Sequence, residues 1–159
     1  FRCLNMLEIK NHFRLAEFDL IVSFGNTLVH LKNPDEIMDL LIQIKEVIKP
    51  GGKVLFQIVN FDRVLRNNIK SLPLIENETV KFERYYSYHR QQRVIDFKTV
   101  LTVKKENRII ENSVQLYPLL KKEFEDILKN VGFEKVFFYG GFKKEDFTQH
   151  SPPLIIEAR

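Results

Sequence analysis

The sequence has no tryptophan and a single cysteine, Cys3. One cysteine excludes an internal disulfide framework and fits a reducing compartment. Long apolar runs are missing too: none approaches the roughly 20 residues a bilayer-crossing helix needs. The first residues carry no signal-peptide pattern, so a cytoplasmic protein with no membrane partner is expected. No Cys/His cluster has metal-ligand spacing, and no bound metal is expected. There is no G-x-S-x-G nucleophile elbow. A glycine-rich phosphate loop is absent as well: Gly51-Gly52 reads as a helix stop, and Gly140-Gly141 precedes a long loop. Charge of one sign is also lacking. The net +4 comes from 25 Lys and Arg scattered among 21 acidic residues. The densest basic stretch, His89 to Arg93, holds only Arg90 and Arg93, so a solvated face is expected and no nucleic-acid partner.

What is present is organised around residues 18–60. FDLIVSF (Phe18 to Phe24) is a short apolar run broken by Gly25 and Asn26. A periodic segment, Pro34 to Ile48, leads into Lys49-Pro50-Gly51-Gly52, and a second apolar run, KVLFQIV, covers Lys53 to Val59. This reads as strand, loop, helix, turn, strand. A helical crossover returns the chain to the same end of a sheet, so the two strands are expected to lie parallel. Asn33 caps the helix, Pro34 takes its first position, and Glu36 reaches back toward the cap. Ile37, Leu40, Leu41, Ile44, Val47 and Ile48 recur on one face. The length of 159 residues suits one domain. The first residue is Phe1, not Met, and Phe1 to Leu7 already reads as the end of a strand, so an earlier segment is expected.

Past Val59 the character changes. Residues 60–70 are polar, with Val64, Leu65 and Ile69 spaced for a short helix. Val80 to His89, Val94 to Val103 and Arg108 to Leu116 are rich in aromatic and β-branched residues, and they read as an antiparallel meander. Lys121 to Asn130 is a second amphipathic helix, with Phe124, Ile127 and Leu128 inward and Gly132 to end it. Lys135 to Tyr139 and Leu154 to Ala158 are the last two strands. Ligands of open α/β sheets bind beyond the carboxyl ends of the strands. That singles out Gly25, Asn26 and Thr27 at one strand end and Asn60, Phe61 and Asp62 at the next, with His30 in the turn between. Both asparagines also suit plain turn formation. Tyr117 and Lys121 have the Tyr-x-x-x-Lys spacing of short-chain dehydrogenases, which needs both on one helical face. Pro118 lets a helix only begin there, which rejects that reading.

Phe18-Asp19-Leu20-Ile21-Val22, Gly25-Asn26-Thr27-Leu28-Val29-His30-Leu31 and a helix closing on Ile48-Lys49-Pro50-Gly51-Gly52 resemble, in this order, a class I S-adenosylmethionine-dependent methyltransferase. Asn60-Phe61-Asp62, Tyr85-Tyr86, the inserted strands, Tyr117-Pro118 and Gly132-Phe133 resemble its small-molecule branch, related to the glycine and sarcosine N-methyltransferases. The resemblance implies an α/β fold: the C-terminal part of a Rossmann-like methyltransferase sheet with an inserted antiparallel meander. It implies one partial domain over 1–159, with 1–60 and 117–159 as the frame and 61–116 mainly the insertion. It implies S-adenosylmethionine as methyl donor, with Asn5, Met6, Phe24, Gly25 and Asn26 beside it. His30, Asn60, Arg63, Tyr85 and Tyr117 fall on the side of a small-molecule acceptor, an amine being expected. No catalytic residue is assigned, because the displacement needs alignment more than a strong base.

Two departures matter. The family's first strand and acidic glycine-rich loop would lie upstream of Phe1. An Arg that holds the substrate carboxylate in glycine-methylating relatives has no counterpart in Asn112-Ser113-Val114-Gln115, which leaves Arg63 or Arg84 as substitutes. Without its neighbour the strand at Phe18 to Phe24 has an open apolar edge, so self-association and weak cofactor binding by these residues alone are expected. Two other readings compete: a non-catalytic interaction module that keeps the fold, and an antiparallel α+β ligand-binding domain.

Overall fold

The computed structural model describes residues 2–159. It divides into two compact units. The first runs to Asp62 and resumes from Leu119 to Arg159; the second is Arg63–Pro118.

In the first unit, β1 (Phe18–Ser23) passes through a short 3-10 turn (Thr27–His30) into α1 (Pro34–Val47) and then β2 (Ile48–Val59). β1 and β2 are parallel, with Ile21 opposite Val54 and Ser23 opposite Phe56. The sheet is completed by α3 (Lys121–Asn130), β7 (Val136–Tyr139) and β8 (Pro153–Ala158), in the order β1-β2-β8-β7. β8 is antiparallel to both its neighbours. The α1 face forms as its periodicity requires: Ile37, Leu40, Leu41, Ile44 and Val47 are buried. Asn33 caps the helix, its Oδ1 accepting from Glu36 N–H at 2.9 Å. Glu36 reaches one residue further back than expected, to Lys32 N–H at 2.9 Å. Against this layer Val54, Phe56 and Ile58 of β2 are fully buried, and the Phe56 ring meets Phe124 of α3 edge-on at 5.3 Å.

Two expectations are corrected. Residues 2–5 form no strand, and Met6–Asn11 is a 3-10 helix begun by Asn5; Phe1 lies outside the described residues. Gln43 of α1, a polar residue on an apolar face, explains the difference. Its amide donates to Leu7 C=O at 2.8 Å and accepts from Lys10 N–H at 3.3 Å, tying that helix down. Lys49-Pro50-Gly51-Gly52 is a bulge within β2, not a turn before it. Ile48 already pairs with Phe18, and Lys53 pairs with Leu20, so β2 advances five residues while β1 advances two. Gly51 takes φ 77°, and a Cβ on Gly52 would lie 2.7 Å from the Ile48 side chain, so neither glycine is replaceable at no cost.

α3 has no cap of its own at Leu120. Asp62 supplies one from beyond β2, its Oδ2 accepting from Lys121 N–H at 2.9 Å. A carboxylate there also meets the positive end of the helix dipole.

The second unit is one antiparallel sheet ordered β3-β4-β5-β6. β3 (Ile75–Glu76) is too short for any sequence pattern; β4 (Val80–His89), β5 (Val94–Val103) and β6 (Arg108–Leu116) are the expected meander. Arg93 and Asn107 take positive φ at the two hairpin turns. α2 (Phe61–Arg66) spans the boundary between the units.

Candidate functional site

At the end of β1 the chain turns through two consecutive left-handed residues, Gly25 (φ 78°) and Asn26 (φ 67°). Glycine and asparagine are the residues that tolerate this conformation best. The corner is bolted to β2 beyond the last ladder pair. Gly25 N–H donates to Gln57 Oε1 at 2.7 Å, and Asn26 N–H to Gln57 C=O at 3.2 Å. In return Val59 N–H donates to Asn26 Oδ1 at 2.9 Å. Thr27 Oγ1 donates to Phe24 C=O at 2.9 Å, tightening the turn. A Cβ on Gly25 would meet nothing within 4 Å, so the backbone there faces open space.

Asn60, at the carboxyl end of β2, is wholly buried. Its Nδ2 donates to Ser151 C=O at 2.9 Å and its N–H to Pro152 C=O at 3.1 Å, which fastens the long β7–β8 loop to the same strand end. That loop carries Phe142, whose ring meets Phe24 edge-on at 5.3 Å. Both rings remain substantially exposed, at 43% and 66%, so the aromatic pair is a surface and not part of the core. Phe24, Gly25, Asn26 and Asn60 thus gather at the carboxyl ends of β1 and β2. His30 is exposed at the end of the 3-10 turn. Asn5 and Met6 sit on the other 3-10 helix, where Asn5 Oδ1 accepts from Leu7 N–H at 3.0 Å; the ties of that helix run to α1.

The second unit places Arg63 and Tyr85 together, on the wall of a hollow of about 580 Å³. Tyr85 O–H donates to Glu83 Oε1 at 2.9 Å, which pushes the phenol up from its ordinary range. Lys81 Nζ pairs with Glu83 Oε2 at 3.0 Å. The Lys81 hydrogen bond first, then that of Tyr85, holds the Glu83 carboxyl below the usual carboxylate range. Tyr117 is not on that wall; it is buried, with the Arg93 guanidinium 5.3 Å from its ring centre.

Sequence reasoning passed over Gln57, Phe142 and Glu157. Gln57 and Glu157 carried a signal, being polar residues inside otherwise apolar strands. Glu157 is only 4% exposed and is ringed by Lys144, Arg159 and Lys53 at 3.1, 3.1 and 3.9 Å. Burial is the strongest single influence on its carboxyl and pushes it up. The hydrogen bond from Lys144 and the charges of Lys144, Lys53 and Arg159 outweigh that and hold it below the usual range. Among the described residues no group of three or more His, Cys, Asp or Glu could hold a metal ion. No described helix is long and apolar enough to cross a membrane.

No protein-family model matches the chain. The glycine/sarcosine N-methyltransferase of Aphanothece halophytica is 24% identical over 154 residues, covering 95% of this chain and 54% of that protein. The chain therefore spans little more than half the length of this relative. Among solved structures, the CcbJ methyltransferase of Streptomyces caelestis superposes with a TM-score of 0.82 at 18% identity, over 98% of this chain and 61% of that one. An S-adenosylmethionine-dependent methyltransferase of Clostridium acetobutylicum superposes at 0.80 with 10% identity, over 99% and 63%.

Proposed function

We propose that this chain, whose fold is that of the class I S-adenosylmethionine-dependent methyltransferases, works in an enzyme that methylates an amine nitrogen of a small molecule. The observation that carries the reading is the Gly25–Asn26 corner at the carboxyl end of a parallel β1–β2 pair, in a sheet ordered β1-β2-β8-β7 with β8 reversed. The relative named as a glycine/sarcosine N-methyltransferase supports the choice of an amine.

S-adenosylmethionine supplies an electrophilic methyl group on a sulfonium. The residues of this chain have the task of placement, since alignment of nucleophile and methyl carbon is where a protein lowers such a barrier. The bare backbone at Gly25 leaves room for close approach, and Phe24 with Phe142 offers an apolar wall to a flat ring. Gln57 and Asn26 act on the ligand only through the corner they hold. Asn5 and Met6 belong to the donor side in this reading; His30, Asn60, Arg63, Tyr85 and Tyr117 belong to the acceptor side. Asn60 contributes there by anchoring the β7–β8 loop, its amide being committed to Ser151. The acceptor amine must arrive neutral, and it loses a proton after transfer.

The test is methyl transfer. The natural protein that carries this chain is incubated with methyl-labelled S-adenosylmethionine and a panel of small amines, including glycine, sarcosine and amino sugars, beside their hydroxyl analogues. Label is expected in an amine and not in the matching alcohol. Transfer only to the alcohols, or donor binding with no transfer to any amine in the panel, contradicts the reading.

A further inference from the structure

The loop that leads into β1 borders a hollow of about 520 Å³ that the methyl-transfer reading does not use. Arg2, Asn11, His12, Phe13, Arg14 and Glu17 line it, all within the first unit. Glu17 directly precedes β1, whereas the Gly25–Asn26 corner follows the other end of that strand. β1 has six residues, and at about 3.3 Å each its two ends lie roughly 20 Å apart. The hollow is a second place on the molecule, apart from the donor corner.

The backbone around it is fixed. His12 N–H donates to Ile9 C=O at 3.0 Å, and Arg14 N–H to Glu17 Oε2 at 2.7 Å. Ala16 N–H and Glu17 N–H donate to Glu46 C=O and Val47 C=O at 3.0 and 2.8 Å, which ties the loop to the last turn of α1. The side chains are not committed in the same way. All the lining residues except Phe13 are exposed. Among the described residues, the side chains of Asn11, His12 and Arg14 have no hydrogen-bond or ion-pair partner. Arg2 has its guanidinium 5.6 Å from the Phe13 ring centre, and Phe13 is braced edge-on against Phe18 at 5.0 Å. The hydrogen bond from Arg2 to His12 C=O is long, at 3.4 Å. A guanidinium over a ring uses its face and keeps most of its in-plane N–H donors for another group.

Two guanidinium groups thus meet one carboxylate, and one oxygen of that carboxylate is already held by Arg14 N–H. Open donors on a fixed loop suit an oxyanion, because guanidinium forks match its oxygens and the Asn11 amide and His12 ring add further donors. A phosphate group suits two guanidinium groups better than a carboxylate does, having three acceptor oxygens and nearly two charges.

We propose that this hollow binds a small molecule through a phosphate or diphosphate group, held by Arg14 and Arg2 before the start of β1. The binding does not rest on the methyltransferase reading.

The experiment titrates the natural protein that carries this chain with inorganic phosphate and with pyrophosphate, at constant ionic strength and with no methyl donor. Saturable binding is expected, tighter for pyrophosphate. Arg14→Gln and Arg2→Gln should each weaken pyrophosphate at least tenfold. Lys105→Gln, which removes the same charge from an exposed position outside the hollow, should bind as the parent does. If a variant fails to fold, the histidine ring signals of the unaltered protein in NMR decide the matter. Pyrophosphate should move those of His12 at a lower concentration than those of His30, His89 or His150. Binding that never saturates, undiminished binding by a folded Arg14→Gln protein, or ring shifts that begin at another histidine overturn the proposal. A negative result leaves methyl transfer standing, and failed methyl transfer leaves a positive result here standing.

Discussion

At Asn26 two demands fall on one side chain: the backbone must turn left-handed, and the Oδ1 must hold Val59 N–H at 2.9 Å. Asn26→Gly keeps the first and loses the second; Asn26→Ala loses both. The Ala variant should cost about 2–4 kcal/mol in urea unfolding, combining roughly 1–2 for left-handed backbone with about 1–2 for the hydrogen bond, and the Gly variant about half of that. Equal costs would mean that the bond contributes and the conformation does not. Glu157 makes a different prediction. Its folded-state carboxyl is lowered from the ordinary 4.5, so its contribution is complete above that pH and is lost as pH falls through the lower folded value. Glu157→Gln should destabilise by about 2 kcal/mol at neutral pH, the usual worth of hydrogen bonds to a charged group. The difference between variant and parent should close in acid. A gap in thermal stability that persists at the lowest pH would show that packing, not charge, is what Glu157 supplies.

Among the elements of the first unit, β1 is an edge strand with exposed apolar residues. It lies at the edge of its sheet, and Leu20 and Val22 are half-exposed on it. An unpaired apolar edge is a template for another strand. We therefore expect molar mass in light scattering to rise with concentration, and Val22→Lys to keep the chain monomeric. A parent chain that stays monomeric at the highest concentration reached contradicts this. How far each element could be read from sequence follows from where its cause lies. α1 and α3 could be read because an apolar stripe is a local property, and Asn33 sits next to the helix it caps. The cap of α3 could not, because Asp62 is 59 residues away from Lys121. Pro50-Gly51-Gly52 does mark where a helix cannot continue. It does not reveal that Phe18 pairs across it with Ile48, which turns the break into a bulge. At the candidate site, a turn at Gly25 and Asn26 could be read from residue type alone, but not that both residues are left-handed. Phe142 could not, since only the closure of the β7–β8 loop brings it to Phe24.

For the whole molecule, the proposed donor site has one flank among the described residues, the ends of β1 and β2, and β1 is an edge strand of its sheet there. Titrated alone, these 159 residues should give no micromolar binding of S-adenosylmethionine, and a micromolar isotherm from them would refute that. The most direct test of the account as a whole is S-adenosylmethionine binding by calorimetry, using the natural protein that carries this chain and its Gly25→Val variant. A Cβ at Gly25 would meet nothing within 4 Å and the backbone there has φ 78°, so a valine strains the backbone and puts its side chain into the open space at the corner. Saturable micromolar binding is expected, falling at least tenfold in a folded Gly25→Val protein. An absence of binding, or binding that Gly25→Val leaves unchanged, would contradict it.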